Sequence, residues 1–145
     1  LHNRLGRAVC AEVYAAEQDM LSSPRWQALR AAGAQPQRLL WASTGTKDPA
    51  AADTLYVDAL VAPDSINTLP EKTLLAFADH GHVNAVMRAD AAAAQATIAL
   101  FEREGIDIEA LALQLQSDGA EAFVKSWRQL LQRIADKSAG LAAAR

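Results

Sequence analysis

Residues 38–43, Arg-Leu-Leu-Trp-Ala-Ser, form a short, nearly continuous apolar run bounded by Pro36 and Gly45. A run of that length without polar alternation predicts a β-strand buried on both faces, the kind found in parallel sheets. A weaker strand is expected at residues 65–68, Ser-Ile-Asn-Thr. Between the two, Asp53 is placed to cap a short helix running to Leu60, with Leu55, Tyr56, Ala59 and Leu60 inward. Strand–helix–strand order implies a parallel pair with a right-handed crossover. Two such strands alone would leave two open edges and be marginal. The Leu39–Ala42 strand therefore needs neighbours, and the chain reads as part of a larger α/β sheet or barrel.

The rest is expected to be helical. Leu5, Ala8, Val9, Val13, Ala16 and Met20 recur at steps of three and four, an apolar stripe on a first helix. Ser23-Pro24 restarts a second helix, with Ser23 as cap, and Gly33 stops it. Thr68-Leu69-Pro70-Glu71 has capping-box spacing ahead of a helix carried by Leu74, Leu75, Phe77 and Ala78 and ended by Gly81. Asp90 and Asp107 are read as caps of two further helices, and Asp118 with Glu121 as the start of a last one. That last helix carries a stripe of Phe123, Trp127, Leu130, Leu131 and Ile134, and frays from Ser138. Trp26, Trp41 and Trp127 are expected to anchor the core.

Composition excludes several functions. The 145 residues carry a net charge of −3 with no basic stripe, so nucleic acid is not an expected partner. No apolar stretch is long enough to span a bilayer, so no membrane is expected either. A single cysteine, Cys10, excludes an internal disulfide and gives no sign of an oxidising compartment; it reads as inert packing. With no signal-peptide layout at the start, a cytoplasmic location is expected. The chain begins with Leu1, which fits a piece of a longer polypeptide or a processed one.

The chemistry is concentrated in Trp41-Ala-Ser-Thr-Gly-Thr-Lys-Asp-Pro49, which leaves the C-terminal end of the first strand. Sites in barrels and open α/β sheets sit at that end. Ser43, Thr44 and Thr46 supply hydroxyls, Gly45 admits a ligand close to the backbone, and Lys47 supplies a cation: together, a phosphate cradle. On composition alone such a loop is more often a plain connection. It is not a P-loop, because the required spacing is absent.

Trp41 to Pro49, Asp53-Thr-Leu-Tyr-Val-Asp58, Ile66-Asn-Thr-Leu-Pro-Glu71 and Phe77-Ala-Asp-His-Gly81 together resemble the C-terminal motifs of the long bacterial transaldolases, and of transaldolase modules fused to a sugar-phosphate isomerase. The flanks, Arg25-Trp26 through Arg38 and Gly105 through Trp127, are similar as well. The resemblance implies the C-terminal part of a (β/α)8 TIM barrel. Residues 1–33 would be helices before strand seven, 38–80 the last two β/α units, and 88–138 additional closing helices. It implies a Schiff base between a lysine on strand four and a ketose phosphate. A dihydroxyacetone unit then passes to an aldose phosphate, as from sedoheptulose 7-phosphate to glyceraldehyde 3-phosphate in the pentose-phosphate pathway. No cofactor is implied. The catalytic lysine would lie upstream of residue 1, so the isolated chain is expected to be inactive. Ser43 matches the serine of the family's Ala-Ser pair after strand seven. In shorter transaldolases Phe-Arg follows that pair, and the arginine binds substrate phosphate. Here Thr44-Gly45-Thr46-Lys47 follows, and Lys47 is expected to do the same work as a point charge. The implied partners are sugar-phosphate substrates, with a homo-oligomer or a fusion to a sugar-phosphate isomerase left open.

Other readings compete. Lys47 could itself be a Schiff-base nucleophile, but its position in a loop beside Asp48 argues against that reading. His80 and His82 could bind metal if a carboxylate joined them; a solvated helix end is the simpler reading. Asp53, Asp58 and Asp64 are better explained by capping and solvation than by acid/base catalysis. The whole chain could instead be a helical protein-binding module, which would not need the Ser43–Lys47 loop. It could also be a related Schiff-base sugar-phosphate aldolase, which would lack the long closing helices.

Overall fold

The computed structural model describes residues 1–83 and 85–143. They form two compact units, Leu1–Arg103 and Glu104–Arg145. In the first unit the order is α1 (Leu5–Ser22), α2 (Pro24–Ala31), β1 (Leu40–Trp41), α3 (Leu55–Ala59), β2 (Ile66–Asn67), α4 (Glu71–His80) and α5 (Ala91–Arg103). The second contains α6 (Ile108–Ala143). The described residues are thus mostly helical, with a two-stranded sheet in the first unit.

β1 and β2 pair in parallel, Leu40 opposite Ile66 and Trp41 opposite Asn67. The amide of Ile66 donates to Leu39 O (2.8 Å) and that of Thr68 to Trp41 O (2.9 Å). Both strands are shorter than the runs that announced them. The expected burial on both faces holds for one only: Trp41 is 7 % exposed, whereas Leu40 is 51 % exposed. Trp41 packs with Tyr14 of α1 and Leu60 to form the core, and Cys10, Leu39, Tyr56, Ala62 and Met87 close around it. Nothing comparable covers the Leu40 side among the described residues. Burial pushes the Cys10 thiol pKa up, which disfavours the thiolate.

α1 packs against α5. The residues buried on these helices are Ala8, Tyr14 and Ala15 on α1 and Ala94 on α5. Small side chains let two helix backbones approach closely, while Tyr14 reaches down to the sheet. The inward stripe expected on α1 is therefore corrected: Val9, Val13 and Met20 lie on the exposed side. Periodicity marked the larger aliphatics, but close helix contact selected the alanines.

Ser23 caps α2 as expected, accepting from the Trp26 amide at 3.3 Å, and Gly33 follows with φ of +95°. Asp90 Oδ1 accepts from the Ala93 amide (3.0 Å), and Asp107 Oδ1 from that of Ala110 (2.9 Å), so both expected caps form. Two others do not. The N-cap of α4 is Pro70, without a side-chain bond, and the Thr68 hydroxyl instead donates to Trp41 O at 3.1 Å. Thr54, not Asp53, precedes α3. α4 buries Thr73 and exposes Leu74 and Leu75.

The two helices expected after Gly105 are one. α6 runs unbroken for 36 residues through Gly119 and past Ser138. Asp118 accepts from the Gln114 side chain (2.7 Å), a pairing one helical turn long, instead of capping a new helix. Phe123, Trp127 and Ile134 are exposed on α6, so Trp127 does not anchor a core among the described residues.

Candidate functional site

The loop after β1 is built by three constraints. Ser43 adopts φ of +58°, the left-handed region that a non-glycine residue enters at a cost. This turns the chain sharply as it leaves the strand. Thr44 is then buried, its Oγ1 donating to Asn67 Oδ1 at 2.8 Å with Thr68 O at 3.4 Å. At Gly45 the backbone passes so close to α4 that a Cβ would stand 3.3 Å from Pro70 Cγ and 3.4 Å from Thr73 Oγ1.

Beyond Gly45 the loop is held from both sides. Thr46 Oγ1 donates to Asp53 O at 3.3 Å. Asp48 Oδ1 accepts from the Ala50 amide (2.9 Å), and its Oδ2 accepts from Asn3 Nδ2 (3.1 Å) with His2 Nε2 at 3.4 Å. The Ala50 amide, then Asn3 and His2, hold the Asp48 carboxyl below its ordinary pKa. Asp48 therefore spends its charge on the loop's own frame, and Lys47 forms no ion pair among the described residues.

Ser43, Thr46 and Lys47 line a common cavity of about 350 Å³ with Asn3, Gly45, Asp48 and Tyr56. Three of the four residues proposed from sequence are thus brought together. Thr44 is placed elsewhere: its hydroxyl ties the two strand ends and does not line the cavity. Sequence reasoning missed Asn3 and Tyr56. Asn3 carries φ of +57°, which asparagine tolerates, but nothing in the order of residues tells that it reaches Asp48. Tyr56 left one trace, Gly6, where a Cβ would stand 3.5 Å from the tyrosine hydroxyl.

Beside this loop, His80 at the end of α4 has Nε2 2.8 Å from Asp53 Oδ1 and Nδ1 3.1 Å from Asp79 Oδ2. The hydrogen bond to Asp53, then that to Asp79, raises the His80 pKa; the same bond lowers that of Asp53. His80 is thus paired with carboxylates on both sides. Among the described residues no group of three or more His, Cys, Asp or Glu side chains is placed to hold a metal ion. No helix among them is long and apolar enough to cross a membrane.

A strand-end loop with hydroxyls and a cation that has no ion pair among the described residues, lining one cavity, suits an anionic ligand. The family model for Transaldolase/Fructose-6-phosphate aldolase matches residues 2–134. A transaldolase of Thermobifida fusca is 48% identical over 87% of this chain and 34% of its own length. One of Frankia alni is 44% identical over 94% of this chain and 37% of its own, and one of Saccharopolyspora erythraea 43% over 91% and 37%. The chain spans about a third of the length of these curated relatives.

Proposed function

We propose that this chain, which belongs to the Transaldolase/Fructose-6-phosphate aldolase family, is the phosphate-binding and barrel-closing portion of a transaldolase. β1 and β2 are the last two strands of a (β/α)8 barrel, in which further strands cover Leu40 and Ile66. The whole enzyme passes a dihydroxyacetone unit from a ketose phosphate, such as sedoheptulose 7-phosphate, to glyceraldehyde 3-phosphate through a lysine Schiff base. It works without a cofactor, in the cytoplasm.

The observation that carries this reading is the shared cavity of Ser43, Thr46 and Lys47 at the C-terminal end of β1. Lys47 contributes positive charge to the substrate phosphate and the Ser43 hydroxyl donates to its oxygens, while the Thr46 hydroxyl, donating to Asp53 O, holds the loop in place. Thr44 acts one step removed, by fixing the strand ends from which the loop departs. Phosphate binding far from the reacting carbonyl anchors one end of the sugar, so binding energy is used to position the other.

The Schiff-base lysine is proposed to come from outside these residues. A nucleophilic lysine needs desolvation or a nearby cation to lose its proton. Lys47, Lys72, Lys125 and Lys137 are all exposed, and none lies on a strand. The helical binding-module reading is not favoured, because it leaves the constrained Ser43–Lys47 loop without a purpose.

The test is borohydride trapping in the natural full-length polypeptide, with a ketose phosphate as substrate. Wild type and Lys47→Ala should both yield a reduced adduct, on none of the four lysines named here. An adduct on Lys47, or the absence of transfer activity in the wild type, would overturn the reading.

A further inference from the structure

A second cavity, of about 340 Å³, lies between the first turns of α1 and the start of α5. Arg4, the residue just before α1, and Arg7 in its first turn line it together with Arg88 from the segment leading into α5. Its apolar wall includes Ala8, Ala94 and Met87. The acidic residue in its lining is Asp90, whose Oδ1 is engaged by the Ala93 amide at 3.0 Å. None of the three guanidinium groups forms an ion pair among the described residues.

Three cations facing one engaged carboxylate reverse, locally, the sign of a chain whose net charge is −3. All three arginines are exposed, so solvent screens their mutual repulsion, but together they make a local positive potential that an anion complements. Guanidinium forks match phosphate oxygens bidentately, which favours a compact dianion over a single carboxylate. The volume is near the lower end of ligand pockets, roughly 300–1,000 Å³, so the ligand is small. The cavity shares no lining residue with the Ser43–Lys47 cleft.

We propose that Arg4, Arg7 and Arg88 form a second anion site, separate from the cleft after β1, that takes a phosphate dianion, free or as a small monoester. Bound there, the anion ties the segment at Arg88 to the start of α1.

The test uses the natural full-length polypeptide with inorganic phosphate as the probe, by titration calorimetry. Wild type takes up two phosphates per chain. Arg4→Gln with Arg88→Gln takes up one, with affinity at the arginine site reduced about tenfold or more, while the Michaelis constant for a ketose phosphate is unchanged. Lys47→Ala also takes up one, at the arginine site. Hydrogen exchange adds a readout that does not depend on the arginine variants: in Lys47→Ala, phosphate slows amide exchange at residues 88–97. Glycerol 3-phosphate as a second probe separates the sources. Tighter binding than inorganic phosphate identifies an ester ligand and equal binding the free ion, and either supports the site. The proposal is overturned if the double arginine variant keeps two phosphates, or if phosphate leaves exchange at residues 88–97 unchanged. If Lys47→Ala still takes up two, the cleft reading fails and the arginine site stands.

Discussion

Thr44 and Asn67 join the ends of the two strands through one hydrogen bond, Thr44 Oγ1 donating to Asn67 Oδ1 at 2.8 Å. The partners are 23 residues apart, and the bond closes the strand–helix–strand unit just where the loop begins. Because Thr44 is 3 % exposed, a lost partner cannot be replaced freely by water.

Thr44→Val should therefore destabilise the full-length polypeptide by about 1 kcal/mol, the loss of one hydrogen bond to a part-buried acceptor. Asn67→Ala should cost a similar amount, and the double variant less than the sum, because both remove the same bond. Urea unfolding of the four proteins checks this. Strictly additive losses would mean that the two side chains act independently.

His80 and Asp53 predict a pH dependence. The pKa of His80 is raised above its ordinary 6.5, first by its bond to Asp53, and that of Asp53 is lowered below 3.8, first by its bond to His80. The histidine's contribution to stability is full below its unfolded pKa and is lost as pH rises through the raised value. The aspartate's is present above its unfolded pKa and lost as pH falls through the lowered value. The paired state thus spans the interval between. In an NMR titration His80 should have a midpoint above 6.5 that falls in Asp53→Asn. A midpoint unaffected by the substitution would separate the two groups. The link reaches the cleft, since Asp53 O also accepts from Thr46.

What could be read from the residues divides along physical lines. Local signals held where the partner is within a few residues, as at the Ser23, Asp90 and Asp107 caps. They failed where a distant group competed for the same side chain. Asp53 is drawn to His80 and Thr68 to Trp41 O, so neither caps its helix. The Ser43–Lys47 cleft was legible because a strand end, a glycine and a cation lie in one run. Asn3 and Tyr56 were not, since only folding brings them there. The stripe on α1 misled because periodicity locates apolar residues, not the small ones that admit a neighbouring helix.

The continuity of α6 gives a further prediction. Gly119 lies inside it with nothing within 4 Å of a Cβ built there. Gly119→Ala should stabilise the helix by about 0.5–1 kcal/mol. Had a break stood there, as the sequence suggested, alanine would be neutral or harmful. Gly81→Ala should do the opposite, because its Cβ would stand 2.6 Å from the backbone oxygen of Phe77. Thermal melting of the two variants distinguishes these outcomes.

The most direct measurement is the ratio of kcat/KM for a phosphorylated ketose to that for its unphosphorylated counterpart, in wild type and Lys47→Ala full-length polypeptide. Loss of one charge-assisted contact to phosphate should lower the value for the phosphorylated substrate by about ten- to a hundredfold and leave the other nearly unchanged. An equal fall for both substrates, or no fall for either, would contradict the assignment of Lys47 to the substrate's phosphate.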